Sequence, residues 1–339
     1  MPRIAIIGAG PAGLAAGQRL SVARPDLELV VWEKSRGLGG RAATRRRGEF
    51  VFDHGAQYVK APTPELRALL DDPALVDIGQ PVWLLTGDGA IQPGDAAQNA
   101  EAKWTYADGL TRLGRKLADG LDVRLQARVG RLAAAGRGWE LFDSAGVGLG
   151  RFDAVLLTPP APQLRELIAA SQLDEGQRRQ IDQALAAAVY RRCLTVTLGY
   201  DHPIERPWYA LVNSDRRHPL AWLAREHAKP GRAPRGSGLL IAQMAPVWSQ
   251  AQWDTALPLL AASVHAMICS ILAEPLPPPV LADRQGWRYA LPDAAAGAEL
   301  HAAAPGLFWA GDYLAGQGRV HRAIEAGWVA AERIAGWLG

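Results

Sequence analysis

Gly8, Gly10 and Gly13 stand in a G-x-G-x-x-G spacing near the start of the chain, followed by Glu33 20 residues beyond the last glycine. Each residue type has a physical use in this pattern. Gly8 permits a tight turn, Gly10 lets backbone amides approach a pyrophosphate, and Gly13 allows a helix to lie close on the preceding strand. Pro11 and Ala12, between the last two glycines, open that helix. Its first amides then face the phosphates, where the helix dipole also favours negative charge. Glu33 can accept hydrogen bonds from a ribose diol, and its charge would repel a 2′-phosphate, which disfavours NADP. The alternative is an ordinary strand-to-helix turn that happens to carry three glycines.

A second glycine-rich segment, 34–44, reads K-S-R-G-L-G-G-R-A-A-T. An NAD domain has no need of it, and it favours FAD as the bound dinucleotide. Gly39 and Gly40 permit another close backbone approach, Arg41 offers a fixed fork of donors to phosphate oxygens, and Lys34 stands beside Glu33. Arg45, Arg46 and Arg47 could neutralise phosphates too, although a solvated charge run is the commoner explanation. Far downstream, Gly311 allows close approach to a ligand and Asp312 can accept from hydroxyls; the pair could also simply cap a strand. The 53–58 turn holds His54, Gln57 and Tyr58, all able to hydrogen-bond. A lone histidine such as His54 is more often a structural group than a general base.

These residues need particular elements to position them. Residues 3–7 form a short β-branched run ending at Gly8, 11–20 read as a helix, and 27–32 form a second strand ending at Glu33, together a βαβ unit. Strands are expected at 122–129, 139–143, 152–157, 193–198, 238–244 and 307–310. Helices are expected at 110–117, 163–170, 177–188, 254–272 and 321–338. The prolines at 275–279 cannot continue a helix, so a linker or domain crossing is placed there. The fold class is α/β: a Rossmann-like domain (1–62, 110–162 and 280–339) with a second α+β substrate or lid domain (63–109 and 163–279).

Composition narrows the function class. Over 339 residues, 37 Lys and Arg against 34 Asp and Glu leave a net charge of +3, far below the basic field of a nucleic-acid binder. Cys193 and Cys269, 76 residues apart, fit neither a disulfide framework nor a zinc site and read as buried apolar residues. No secretory signal can be split from the first strand, and 257–272 is too short and too interrupted to cross a membrane, so a cytoplasmic location is expected. No metal is expected. Twelve tryptophans is a high number; Trp104, Trp208, Trp222, Trp248 and Trp287 fall in or near the expected lid, as core packing or as walls for a flat substrate.

The sequence resembles the two-dinucleotide-fold flavoproteins related to monoamine oxidase, and more specifically the renalase family. Seven segments carry the resemblance in family order: 6–13, 33–44, F-D-H-G-A-Q-Y at 52–58, A-W-L-A-R at 221–225, Trp248-Ser249, W-R-Y-A at 287–290, and A-G-D at 310–312 followed by G-R-V at 318–320. The resemblance implies non-covalent FAD. It places Asp312 on the ribityl hydroxyls, Gln57 and His54 beside the isoalloxazine, Val129 with its backbone on adenine (a core valine being the alternative), and Trp287 on the return to the flavin domain. Arg319 and Val320 open the last helix, whose N-terminus could face the flavin N1–C2=O edge. Gln57, Trp287 and Arg319 are the candidate catalytic residues.

Flavin does the chemistry, so the protein need only hold a donor's hydridic carbon near N5. A donor that already carries a dihydropyridine needs no base, whereas an alcohol does. The scarcity of candidate bases favours the preactivated donor. The renalase likeness implies 2- or 6-dihydro-NAD(P), with O2 reoxidising the flavin to give H2O2. Two departures from the family pattern bear on the substrate: Gln243 stands where a histidine is usual before the Trp-Ser pair, and His321 where a glutamate usually follows Arg-Val. The alternatives are a flavin amine oxidase or desaturase of the same superfamily, and a protein-binding module that has lost its flavin.

Overall fold

The computed structural model describes residues 1–339, which divide into two compact units. The first comprises Met1–Ala43, Thr111–Tyr190 and Leu291–Gly339, and the second Thr44–Leu110 and Arg191–Ala290. These limits differ from the sequence expectation at 44–62, 110, 163–190 and 280–290. Helices Ala161–Ala170 and Glu175–Ala186 send Leu164, Ile168, Ile181 and Leu185 into the core of the first unit. Strand Leu281–Pro292 is the edge strand of the second unit's large sheet. The crossing therefore falls at Ala290–Leu291, in the last residues of that strand, and not at the prolines at 275–279.

The first unit is built on five parallel strands in the order Leu307–Trp309, Ala154–Leu157, Arg3–Ile7, Glu28–Trp32, Asp122–Arg124. The central strands read as unbroken apolar runs because both faces of a parallel sheet are covered. Accordingly Ala154–Leu157 is buried at every position. Helix Pro11–Ala23 crosses from the first strand to the second, and helix Val320–Trp337 packs against it. Gly327 makes that packing close: a Cβ there would stand 2.3 Å from the Ala12 carbonyl oxygen. Three antiparallel strands, Val129–Ala135, Gly138–Asp143 and Gly148–Phe152, complete the unit.

Three element expectations are corrected, the first being the strand expected over 152–157: Phe152 ends the antiparallel strand Gly148–Phe152, and the parallel strand is Ala154–Leu157. The single strand expected over 122–129 is two, Asp122–Arg124 and Val129–Ala135. Gln126 breaks it at φ 57° while its amide donates to Ser35 O. The helix expected from 254 begins at Leu257, with a proline in its first turn setting the start.

The second unit holds a seven-stranded sheet in the order Leu281–Pro292, Tyr190–Tyr200, Gly238–Met244, Leu220–Arg225, Ala210–Val212, Val82–Leu85, Ile91–Gln92. Leu194, Val196, Leu198, Leu240 and Ala242 face helix Leu257–Leu272 on one side. Ile241, Ala224 and Leu239 pack with Phe52 and Tyr209 on the other. Trp104, Trp208, Trp222, Trp248 and Trp287 all lie in this unit. Cys193 and Cys269 are free and half-buried, less enclosed than the sequence implied. No helix is long and apolar enough to cross a membrane.

Candidate active site

In the first unit two glycines of the fingerprint, Gly8 and Gly13, have a steric reason within the protein. Gly8 sits at φ 106°, and a Cβ there would meet Thr158 Oγ1 at 2.5 Å. A Cβ on Gly13 would lie 2.1 Å from Gly8 O, so only glycine lets helix Pro11–Ala23 start against the turn. Gly10 differs: a Cβ there would meet nothing within 4 Å. That open space lies at the helix N-cap, where no side chain caps the first amides and Pro11 has no N–H.

A second glycine turn lies on the first. Gly39 (φ 94°) donates to Ala9 O at 2.9 Å, and the Cβ direction of Gly40 (φ 52°) points at Gly10 Cα, 3.6 Å away. Glu33 fastens the two turns together. Its buried carboxylate accepts from Ala9 N at 2.8 Å through Oε2 and from Ser35 N at 2.7 Å through Oε1. Lys34 donates to Gln163 Oε1 at 2.9 Å.

Arg41 and Asp312, expected on phosphate and ribityl oxygens, grip each other through two hydrogen bonds of 2.8 Å. Asp312 is buried, and Tyr190, which no sequence signal singled out, donates to its Oδ1 at 3.2 Å. Burial and the adjacent carboxylate push the Tyr190 phenol well above its ordinary pKa. Gly311 stands at φ 149° with the Tyr313 ring 2.7 Å from where a Cβ would be. Arg319 is the exposed N-cap residue of helix Val320–Trp337, and its guanidinium donates to Gly318 O. That helix also begins without a side-chain cap. Val129 does not end a strand as expected; it begins Val129–Ala135 and is buried in the core of the unit.

These residues fit a dinucleotide. Open space over Gly10, two helix N-termini without side-chain caps, stacked glycine turns and a buried carboxylate at the end of the second strand are what a diphosphate and a ribose require.

In the second unit, the 53–58 turn is anchored by a buried ion quartet that sequence reasoning missed. Asp53, Glu226, Lys229 and Arg232 are all fully or nearly fully excluded from solvent. Asp53 Oδ2 takes Arg232 Nη2 at 2.8 Å and Lys229 Nζ at 3.3 Å, and Lys229 Nζ lies 2.7 Å from Glu226 Oε2. Asp53 Oδ1 accepts from Thr44 Oγ1 at 2.6 Å and Leu110 N at 3.0 Å, the first and last residues of one segment of this unit. Asp53 N donates in turn to Glu226 Oε1. The signal available in the sequence was the E-x-x-K-x-x-R spacing at 226–232.

The turn itself carries His54 stacked on Trp287, centroids 5.3 Å apart and planes at 26°. Trp287 Nε1 donates to His54 O at 2.9 Å. Burial, helped by the Arg45 charge, depresses His54 to a pKa of about 4, so it is neutral at pH 7 and a weak base. Gln57 donates through Nε2 to Asp53 O and to Gly55 O, and Gln243 Nε2 donates to Gly55 O at 2.6 Å. The sequence flagged Gln243 only as a departure; it is a support of the turn. Of the expected solvated run, Arg46 and Arg47 are exposed, but Arg45 and Arg47 both pair with the buried carboxylate of Asp283, and Arg45 also donates to Gln285 Oε1 at 2.5 Å.

A parallel sheet with a glycine turn at its first helix, joined to a second unit with a mixed sheet, defines a Rossmann-type dinucleotide-binding architecture. A family model described as an NAD(P)-binding Rossmann-like domain matches residues 6–73, and one described as flavin containing amine oxidoreductase matches residues 79–335. The chain belongs to the flavin-containing amine oxidoreductase family. Renalase from Mus musculus is 28% identical over 222 residues; the match covers 61% of this chain and 61% of the mouse protein, less than two thirds of its length. Cyclohexylamine oxidase from Brevibacterium oxydans IH-35A superposes with a TM-score of 0.76 at 15% identity, covering 99% of both chains. A putrescine oxidase bound to putrescine gives 0.75 at 16% identity, again over 99% of both. At these identities the solved structures show a shared fold.

Proposed function

We propose that the protein binds FAD without a covalent link and oxidises an isomeric dihydronicotinamide, 2- or 6-dihydro-NAD(P), to NAD(P)⁺. The bound flavin would supply hydride acceptance at N5 and reoxidation by O2 with release of H2O2. The first unit's glycine turns, Glu33, Arg41, Gly311 and Asp312, with Lys34, Val129 and the Arg319–Val320 helix start, are assigned to the cofactor. His54, Gln57 and Trp287 are assigned to the reacting end.

One observation carries the reading: His54, the histidine of the turn, is buried, stacked and held to a pKa of about 4, while the Asp53 carboxylate is held in the ion quartet. A dihydropyridine gives up hydride without giving up a proton, and suits a turn built this way. Mouse renalase, similar over three fifths of its length, supports the same direction. Anaerobic mixing with 2- and 6-dihydro-NAD(P) is expected to bleach the flavin within the mixing experiment, with 4-dihydro-NAD(P) far slower. A flavin that stays oxidised with all the isomers overturns the assignment.

The second reading is an amine oxidase. It is favoured by the fold shared with putrescine and cyclohexylamine oxidases and by the aromatic pairs His54–Trp287 and Tyr58–Trp222. Bleaching by an amine panel, and not by dihydronicotinamides, would select it.

A further inference from the structure

One face of the seven-stranded sheet holds more buried hydrogen-bonding capacity than the protein satisfies. Thr195 stands opposite Gln243 and Gln243 opposite Trp222 in register across three neighbouring antiparallel strands. Directly opposed residues project from the same face, so the three side chains form one row. Gln243, through its bond to Gly55 O, draws the 53–58 turn onto that row, and the Tyr58 ring lies 6.2 Å from that of Trp222.

Three polar atoms in this neighbourhood are buried without a hydrogen-bond partner: Thr195 Oγ1, Trp222 Nε1 and Gln57 Oε1. Thr195 is 1% exposed and Gln57 6%. The Thr195 hydroxyl has the Cys193 thiol for a polar neighbour and no oxygen or nitrogen partner. Gln57 cannot exchange its amide ends, because Nε2 already donates to two carbonyls and an oxygen there would oppose both. Its Oε1 is therefore a fixed acceptor. The indole N–H of Trp222 is a donor only, and the Thr195 hydroxyl does either. Folded proteins leave few such groups unpaired, and a cluster of them marks a place where something else completes the bonding.

The complement of a fixed donor, a fixed acceptor and a hydroxyl is a flat neutral group carrying one acceptor and one donor side by side. A carboxamide has that form. A carboxylate would set an anion against Gln57 Oε1, and an ammonium would set a cation against the Trp222 N–H. Asp53 and Glu226, the carboxylates nearest in the turn's support, are consumed in the ion quartet.

We infer that this row binds the carboxamide borne on a neutral planar ring of the substrate, with Trp222 Nε1 and Thr195 Oγ1 donating to its oxygen and Gln57 Oε1 accepting from its nitrogen. The substrate's identity rests on the dihydronicotinamide reading above; the recognition itself does not.

The test uses the flavin-loaded full chain and three probes of one size: nicotinamide, nicotinate and benzylamine, followed by tryptophan fluorescence and by perturbation of the flavin absorbance. Nicotinamide is expected to bind at least about tenfold tighter than either charged probe, since a buried charge without a partner is expelled. Thr195→Val and Trp222→Phe are each expected to weaken nicotinamide about five- to thirtyfold, the loss of one buried hydrogen bond. Thr197→Val, on the same strand and face, is expected to change it less than about twofold. Should Thr195→Val fold poorly, Trp222→Phe carries the same comparison. Equal or tighter binding of nicotinate or benzylamine, no binding of nicotinamide, or unchanged affinity in the variants overturns the inference. Nicotinamide binding that depends on Thr195, in a protein whose flavin no dihydronicotinamide bleaches, would instead sink the proposed reaction and leave the recognition row standing.

Discussion

Gly10 and Gly13 are separated by two residues and do different work. Gly13 is constrained by the protein itself, because a Cβ would overlap the Gly8 carbonyl at 2.1 Å. Gly10 is not: its φ of −83° and ψ of 176° suit any residue, and nothing stands within 4 Å of its Cβ direction. Its glycine would be explained by a diphosphate approaching through that space. Gly13→Ala is therefore expected to destabilise the flavin-free protein by about 1–3 kcal/mol, the usual cost of forcing an atom into a packed site. Gly10→Ala is expected to leave the flavin-free melting temperature within about 1 °C, an effect under 0.5 kcal/mol, while lowering flavin content at purification. The measurements are thermal melts of stripped protein and the flavin-to-protein ratio. A Gly10→Ala protein that keeps its full flavin complement would show that no diphosphate approaches there.

At the scale of elements, the strand Phe50–Asp53 and the 226–232 segment are joined by charges with no access to water. Two carboxylates face an ammonium and a guanidinium, so the quartet is neutral as a set. Burial disfavours an ionised Asp53, yet Arg232 and Lys229 hold its pKa below the ordinary value. Removing one member leaves an uncompensated charge, whereas removing an opposite pair keeps neutrality. Lys229→Met alone is expected to cost about 3–5 kcal/mol, and the Glu226→Gln/Lys229→Met double variant distinctly less than the sum of its parts. Urea midpoints of the two single variants and the double close the cycle; strict additivity would mean the four charges do not act together. The same long reach explains what the sequence did not disclose. Arg45 and Arg47 read as a charge run because Asp283, their partner, lies 238 residues from Arg45. Only a strand pairing built from distant segments brings them together. Gln126, at a polar position of a segment that alternates polar and apolar residues over 122–129, gave no local sign that it takes φ 57° and splits its strand.

For the whole molecule, legibility follows locality. The dinucleotide turn, its helix and Glu33 occupy one continuous βαβ stretch, and each could be read because neighbours in sequence are neighbours in space. The Arg41–Asp312 fork spans 271 residues and could be anticipated only as two separate ligands for a cofactor. The second unit's sheet draws strands from 82 through 292, so its members were visible singly and its limits were not. The units also differ in what a cofactor should do to them. Glu33, the glycine turns and Asp312 all belong to the first unit, so FAD added to stripped protein is expected to protect that unit most. A ligand present at one hundred times its dissociation constant stabilises by about 2.7 kcal/mol. For a cooperative body of this size that raises the melting temperature by about 5–10 °C, at about 2–4 °C per kcal/mol. NADP at equal concentration is expected to give no rise, because its 2′-phosphate would meet the buried Glu33 carboxylate. Hydrogen exchange resolves the location: amides of 9–14, 39–42 and 311–322 should slow with FAD, and those of 226–244 should change little. Equal protection by NADP, or protection confined to the second unit, would contradict the assignment of these turns to a flavin dinucleotide.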